Sequence, residues 1–212
     1  MHQLTIPEFF VLLSIDENSQ TIEMSLQSNM KTYTCINIVL ELYAKNYIQI
    51  DHNFVIHCKK FVSSISYIQA ALDLTQNSDE NSNLNMWLIE INKCSKVLYD
   101  SVLSRLSYHR KLKIIERRIL GIMFQKKYQC FQNRSALLDF LRKKAMTDKS
   151  CYLSVVSLLY VMKWKGLLIK EVDECIMHLE KQEIYQLDLQ ELKGVVREII
   201  KCSRVNEIRQ YF

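Results

Sequence analysis

Residues 103–128 read LSRLSYHRKLKIIERRILGIMFQKKY, and this stretch carries the clearest structural and functional signals in the chain. Residues 105–149 contain thirteen Lys and Arg but only three acidic residues, so their net charge is +10. The whole 212-residue chain is only +5, which leaves the remainder at −5. A cationic region this concentrated indicates an anionic partner, either a membrane surface or a nucleic acid. An ordinary solvated surface is the alternative interpretation.

The middle of this stretch fits two kinds of secondary structure. The isoleucines at 114, 115, 119 and 122 have helical spacing, whereas the β-branched content and Gly121 favour a strand. Read as a strand, residues 112–123 would pair with residues 125–131 in a hairpin. Before the stretch, residues 96–106 have the pattern of an amphipathic helix. After it, Ser135 is predicted to cap a helix that ends at Met146.

Residues 151–163 are apolar on nearly every side of a helix, which predicts the central buried helix of the fold. Gly166 is predicted to end it as the first residue beyond the helix. At the other end of the chain, Thr5-x-x-Glu8 is a capping box that opens a short helix. The other predicted elements are a strand at 21–24, a helix from Thr32 or Thr34 to about 46, a hairpin of 47–50 and 54–58, helices at 67–74 and from 86, a polar linker at 75–83, and helices at 169–182 and 187–203.

Composition supports the same fold class. Hydrophobic residues make up 49% of the chain and charged residues 24%, with only three Gly and one Pro. All-β folds need many turn residues, so this composition predicts a mainly α protein. We expect a single compact helical domain over residues 1–212, built around the central buried helix, with two short β-hairpins.

The cysteines and the apolar runs bear on the cellular compartment. The seven cysteines are odd in number, widely spaced and without a C-x-x-C motif. This pattern favours reduced thiols in the cytoplasm over a disulfide framework. The sequence has no apolar run of the roughly 18 to 20 residues that span a bilayer, and no signal-type N-terminus. Any membrane role is therefore expected to be peripheral.

Motifs of catalysis and metal binding are absent from the sequence. His57 and Cys58 are adjacent on a predicted strand, where successive side chains point to opposite faces, so they cannot act together as base and nucleophile. The five histidines form no H-x-x-x-H or H-E-x-x-H motif, and no Cys/His group has zinc spacing. The three glycines, at 121, 166 and 194, form no phosphate-binding loop motif. We therefore expect a binding protein, with no catalytic residues, cofactor or metal.

Several blocks of the sequence resemble the Golgi phosphoprotein 3 family over residues 4–165. The first resembles that family's opening helix, the second its "L.ELAL.G.I.L" block, and the third its central "EE+R.LG.F" and "++Y" region. The resemblance favours the strand and hairpin interpretation of residues 112–131. The matching residues are Leu4-Thr5-Ile6-Pro7-Glu8 to Leu13 with Asp16-Glu17, Val39-Leu40-Glu41-Leu42 with Ile48-Gln49-Ile50, and Arg105-Leu106, Leu112, Glu116-Arg117-Arg118, Leu120-Gly121-Ile122 and Tyr128.

The resemblance implies a peripheral membrane protein. Members of the family bind phosphatidylinositol 4-phosphate and, in eukaryotes, engage cytosolic tails of Golgi enzymes at the cytosolic face of the Golgi; self-association is a further expectation. Ungapped alignment places Leu26, Cys35, Lys96 and Tyr99 at the family's four lipid-pocket positions, with Lys31 as a substitute cation. Since one cation remains there, we expect attraction to anionic lipid in general with little preference for the 4-phosphate. The hairpin cations Arg117, Arg118, Lys126 and Lys127 are expected to contribute more than Lys96.

Two other interpretations remain open. The predicted hairpin at 47–58 follows a helix, as in a winged-helix unit, so nucleic acid is a second candidate partner. That hairpin brings few cations, however, and the basic residues lie some fifty positions later. The acidic helices at 171–191 could instead serve as a docking face for another protein.

Overall fold

A computed structural model describes residues 3–76, 83–119, 122–181 and 185–209. This part of the chain is mainly helical with two antiparallel two-stranded hairpins, as predicted. The elements are α1 (Ile6–Leu13), α2 (Met30–Ala44), β1 (Ile48–Ile50), β2 (Ile56–Cys58), α3 (Ser66–Gln76), α4 (Leu84–Lys93), α5 (Ser95–Tyr108), β3 (Leu112–Ile119), β4 (Ile122–Cys130), α6 (Arg134–Ala145), α7 (Lys149–Trp164), α8 (Ile169–Glu180) and α9 (Gln186–Arg209).

The start of α1 is fixed by buried polar groups. The Glu8 carboxylate accepts a 2.8 Å hydrogen bond from the backbone N–H of Thr5, as the capping-box motif predicts. The Thr5 hydroxyl lies 2.6 Å from the Tyr67 hydroxyl of α3. Glu41 of α2 accepts from the Ile6 N–H at 2.5 Å. Helices α1, α2 and α3 are thereby joined through one short segment of chain.

The core is organised around α2 and α7. The predicted central helix α7 is buried along nearly its whole length and packs against α1, α2, α6, α8 and α9. Asp148 caps its N-terminus, and Gly166 follows its end in a left-handed conformation with a φ of 70°. Helix α2 is buried to the same extent and contacts α1, α5 and α7. Two adjacent apolar helices therefore share the centre of the fold.

Several predicted boundaries are wrong. The strand predicted at 21–24 is a single bridge between Ile15 and Ile22, and a 3-10 helix begins at Met24. Helix α6 is capped by Asn133, whose side chain accepts from the Ala136 N–H at 2.8 Å, and not by Ser135. Residues 75–76 of the predicted linker end α3 and residue 83 caps α4, while 77–82 lie outside the described residues. Helix α8 ends at 180, residue 182 lies outside the described residues, and α9 extends past the predicted 203.

Both hairpins have well-defined registers. In the first, Ile48 pairs with Cys58 and Ile50 with Ile56. In the second, Leu112 pairs with Cys130 and Glu116 with Lys126, and a bulge falls between residues 117 and 118. All seven cysteines lie in the described residues and are free thiols.

Arg110 joins α5 to β3 in a strained backbone conformation. Its φ is 54°, in the left-handed region where Gly is favoured at the end of a helix. This conformation costs an L-residue about 1–2 kcal/mol, and Gly avoids the cost. Part of the resulting gain in stability is offset because Gly has more conformational freedom in the unfolded state. Arg110→Gly is therefore expected to raise the free energy of unfolding by about 0.5–1 kcal/mol, measured by urea denaturation. Arg110→Ala is the control, since it removes the same guanidinium but keeps the strain; equal stabilisation by both variants would contradict the explanation.

Candidate functional site

The β3–β4 hairpin is anchored to the body of the protein at its base. The Lys111 N–H donates to the Leu106 carbonyl at 2.8 Å, which closes the turn from α5 into β3. The Tyr128 N–H donates to the Gln20 carbonyl at 2.7 Å, which holds the outer edge of β4. Leu112 is buried at the start of β3. The orientation of the hairpin is therefore set by α5 and by the loop that follows α1.

One face of the hairpin packs against the body. Paired residues on adjacent strands lie on the same face, and successive residues alternate between faces. Leu112 and Tyr128 are buried on the inner face, and Ile114 and Cys130 pack against the core beside them. Burial, together with the hydrogen bond to the Tyr128 phenol, raises the pKa of Tyr99. Tyr99 is therefore neutral at physiological pH, and it lies in the core under the hairpin.

Farther from the body, the inner face holds an acid between two cations. The Glu116 carboxylate lies 2.9 Å from Arg118 and 3.9 Å from Lys126. The Lys126 ammonium also lies 5.6 Å from the centroid of the Tyr128 ring. Two of the four cations predicted to bind lipid are thus partly neutralised by a neighbouring carboxylate.

The outward face has a different composition. Lys113, Ile115 and Arg117 alternate along β3, and Ile115 pairs with Lys127 on β4. Lys113 and Arg117 are exposed, and Lys127 is half-buried. Within the described residues, no acidic side chain forms an ion pair with any of these three cations. We call Lys113, Arg117 and Lys127 the outward cations.

The sequence-based prediction grouped four cations as lipid-binding residues and did not include Lys113. These four are Arg117, Arg118, Lys126 and Lys127. The structure places Arg117 and Lys127 on the outward face and Arg118 and Lys126 beside Glu116. Side chains alternate between the two faces of a strand, so residues 113, 115 and 117 are expected to share one face. This rule identifies the outward cations only if residues 112–119 are known to form a strand and if the face that packs against the body of the protein is known.

The four family-like pocket positions are spread over the fold: Leu26 lies in the 3-10 helix before α2, Cys35 on α2, and Lys96 and Tyr99 on α5. Leu26 and Cys35 are buried, and burial raises the pKa of the Cys35 thiol to about 12. A cavity of about 10 Å³ lies beside Cys35, between Thr32 and Asn92. This is the volume of about one water molecule, so a phosphate does not fit without rearrangement. Lys31 and Lys96 are exposed near the N-termini of α2 and α5 and do not line this cavity.

A larger cleft of about 650 Å³ lies between the β1–β2 hairpin and the ends of α2, α7 and α9. Its charged groups are already paired within the protein: Lys45 with Glu41 at 2.6 Å, and Lys149 with Asp188 at 2.7 Å. The Tyr43 hydroxyl donates to Glu191 at 2.7 Å. No charged side chain is left in need of a ligand there, so this cleft is the weaker candidate.

The β1–β2 hairpin does not form a basic wing. Residues 48–58 contain no Lys or Arg. The His57 ring lies 3.4 Å from Asp51, and the Cys58 thiol lies 2.7 Å from the Thr75 hydroxyl. His57 and Cys58 therefore have separate partners, in agreement with their expected placement on opposite faces. Within the described ranges, no group of three or more His, Cys, Asp or Glu is placed to hold a metal ion.

In the part of the chain that the structure describes, no helix combines the length and the apolar character that crossing a bilayer requires. The surface feature with the clearest chemistry is the outward face of β3–β4, where the outward cations flank Ile115 and form no ion pair with an acidic residue of the described ranges. Comparison with known proteins adds no identification: no protein-family model matches the chain, and a search of curated proteins finds no significant match.

Proposed function

We propose that this protein is a non-enzymatic, peripheral membrane-binding protein whose outward cations contact anionic lipid head groups. The single observation that carries the proposal is the sorting of charge on β3–β4. Three cations share one face without an acidic partner in the described residues, while the acid of the hairpin faces the other way. A face of this kind is complementary to a negatively charged surface.

The expected energy is modest and depends on salt. A cation near an anionic leaflet contributes about 1 kcal/mol, so the three outward cations together supply about 3 kcal/mol. Arg110 is exposed and Lys111 half-buried in the turn before β3, so they add to the same field. Exposed charges are screened over about 8 Å at physiological ionic strength. Binding is therefore reversible and weakens as salt is added.

Nucleic acid is the main competing ligand, because a two-stranded ribbon also fits the major groove of DNA. The outward face favours a membrane, since the residue between its cations is Ile115 and not a group that hydrogen-bonds base edges. The β1–β2 hairpin, which the winged-helix interpretation would use, has no cations within it.

The pocket geometry predicts little lipid selectivity. A 4-phosphate needs several donors fixed around it, and the aligned positions offer one exposed cation, Lys96, together with buried Leu26, Cys35 and Tyr99. The cavity beside Cys35 measures only about 10 Å³. In flotation assays, vesicles that contain phosphatidylinositol 4-phosphate are expected to bind no more than about threefold better than phosphatidylserine vesicles of equal charge.

Double-stranded DNA, added as a competitor, distinguishes the two partners in the same flotation assay. We expect vesicle binding to persist when DNA phosphate is equimolar with anionic lipid. Displacement of the protein onto DNA would favour the nucleic-acid function. A preference above tenfold for the 4-phosphate would show that a pocket forms which the geometry near Cys35 does not contain.

A further inference from the structure

The proposed function does not specify which face of the hairpin contacts the membrane. The register of β3–β4 bears on this orientation, because it determines where Ile115 lies among the outward cations. Ile115 lies on the outward face between Lys113 and Arg117 and pairs with Lys127. Its neighbour Ile114 packs against the core, whereas Ile115 is half-buried on the outward face and is not part of that core. An apolar side chain that is not part of the core thus lies at the centre of a cationic face.

Phe131 extends this face toward the body of the protein. Its N–H donates to the Lys111 carbonyl at 3.3 Å, which continues the ladder by one rung beyond the pair of Leu112 and Cys130. Alternation then places Phe131 and Lys111 on the same side as Lys113. The Phe131 side chain is 57% exposed. The outward face therefore carries apolar groups at its middle and at its base, each beside a cation.

We infer that the hairpin lies flat on the leaflet, with its outward face toward the lipid and with Ile115 and Phe131 in the interfacial region. This inference rests on the proposed function. Cations at the level of the head groups and apolar side chains just below them match the two layers of a membrane interface. The eight residues of β3 span about 26 Å, so contact along the face engages cations from Lys113 to Arg117 together.

A hairpin that met the membrane by its turn alone would behave differently. A strand rises about 3.3 Å per residue, so Phe131 lies more than about 25 Å along β4 from the turn. Phe131 would then stay in water. The environment of residue 131 in the bound state consequently separates the two orientations.

Tryptophan fluorescence measures this environment directly. Ile115→Trp and Phe131→Trp each place a probe on the outward face. Tyr108→Trp is the matched control, since Tyr108 is 83% exposed but lies beside Ile114 and Lys126 on the opposite side of the hairpin. The native Trp87 and Trp164 are removed as background by subtracting the wild-type spectrum under the same conditions. Equal urea midpoints are required of all three variants, so that a shift reports location and not unfolding.

With vesicles of phosphatidylcholine and phosphatidylserine, the emission of the Trp probes at 115 and 131 is expected to shift to the blue. Lipids brominated on the acyl chain close to the head group are expected to quench both probes at least about twofold. The Trp probe at 108 is expected to show neither effect. Sedimentation with the vesicles but no shift at 115 overturns the inference and leaves the proposed function standing. A shift at 115 without one at 131, or an equal shift at 108, overturns the flat orientation. Failure of the wild-type protein to sediment with anionic vesicles overturns the proposed function, and the inference with it.

Discussion

Reversing the outward cations, by Lys113→Glu, Arg117→Glu and Lys127→Glu together, is expected to weaken binding to anionic vesicles by at least about a hundredfold. Loss of three contacts of about 1 kcal/mol each is worth about two powers of ten, and the new carboxylates add repulsion. Lys113 and Arg117 are exposed, so their replacement removes no core packing. Vesicle sedimentation at about 0.15 M salt measures the change.

The control for this variant reverses three cations on another surface. Lys170 lies in the first turn of α8, Lys181 follows its last residue, and Arg197 lies on α9; all three are exposed. Their reversal changes the net charge of the chain by the same amount. We expect less than about a threefold effect, because cations that do not reach the membrane are screened beyond about 8 Å. Equal losses in the two triple variants would mean that net charge alone drives binding and that β3–β4 has no special role.

Replacing Arg105 by Met is expected to lower the free energy of unfolding by about 3–5 kcal/mol. The Arg105 guanidinium lies 3.0 Å from the Glu8 carboxylate, and Glu8 is fully buried at the start of α1. Without Arg105, a buried carboxylate loses its ion pair, which costs far more than an exposed pair would. Urea denaturation followed by circular dichroism measures the loss.

The pH dependence of this effect identifies its cause. Burial already raises the pKa of Glu8, and loss of the neighbouring cation raises it further. A carboxyl whose folded-state pKa is raised costs stability above that pKa and regains it as the pH falls toward the unfolded value. The deficit of Arg105→Met is therefore expected to shrink as the pH is lowered from neutral toward the ordinary pKa range of a carboxyl.

The double variant Glu8→Gln with Arg105→Met removes both charges, and Gln can still accept the Thr5 N–H bond. It is expected to recover about half or more of the loss, since neither charge remains unpaired. A loss below about 1 kcal/mol for Arg105→Met alone, or a deficit that does not change with pH, would show that the ion pair does not hold α1 in place.

Much of the fold could be predicted from local patterns. The Thr5-x-x-Glu8 motif marked α1, the nearly uniform apolar run marked α7, and Gly166 marked its end. Each of these patterns is local to one helix or to its end, so it can be recognised in the sequence without knowledge of the tertiary structure. The α6 boundary failed because both Asn133 and Ser135 are good N-cap residues, and only the bond to the Ala136 N–H distinguishes them.

The strand predicted at 21–24 failed for a different reason. Ile22 forms only one bridge, to Ile15, because the chain turns into a 3-10 helix at Met24. A strand needs a partner of matching length, and local β propensity does not supply one. Tertiary packing also determines that Glu41 accepts from the Ile6 N–H, which no short motif indicates. The ion pair of Glu41 with Lys45 is instead a local contact between residues four apart on a helix.

The candidate site was located by charge but not resolved by it. The excess of Lys and Arg in 105–149 marked the region that contains the β3–β4 hairpin, yet it could not assign Arg117 and Arg118 to different environments. That assignment depends on strand register, on the bulge after Arg117 and on which face α5 covers. Burial of Leu26 and Cys35 is likewise a tertiary fact, so the small cavity beside Cys35 could not be seen in the sequence.

The most direct test of the central claim is sedimentation of the unmodified protein with vesicles of two compositions at two salt concentrations. We expect binding to phosphatidylcholine vesicles that contain phosphatidylserine at about 0.15 M salt, and a loss of most of it at about 1 M, where the screening length falls to about 3 Å. We expect no binding to pure phosphatidylcholine. Equal binding to both compositions, or no binding to either at low salt, would contradict the account.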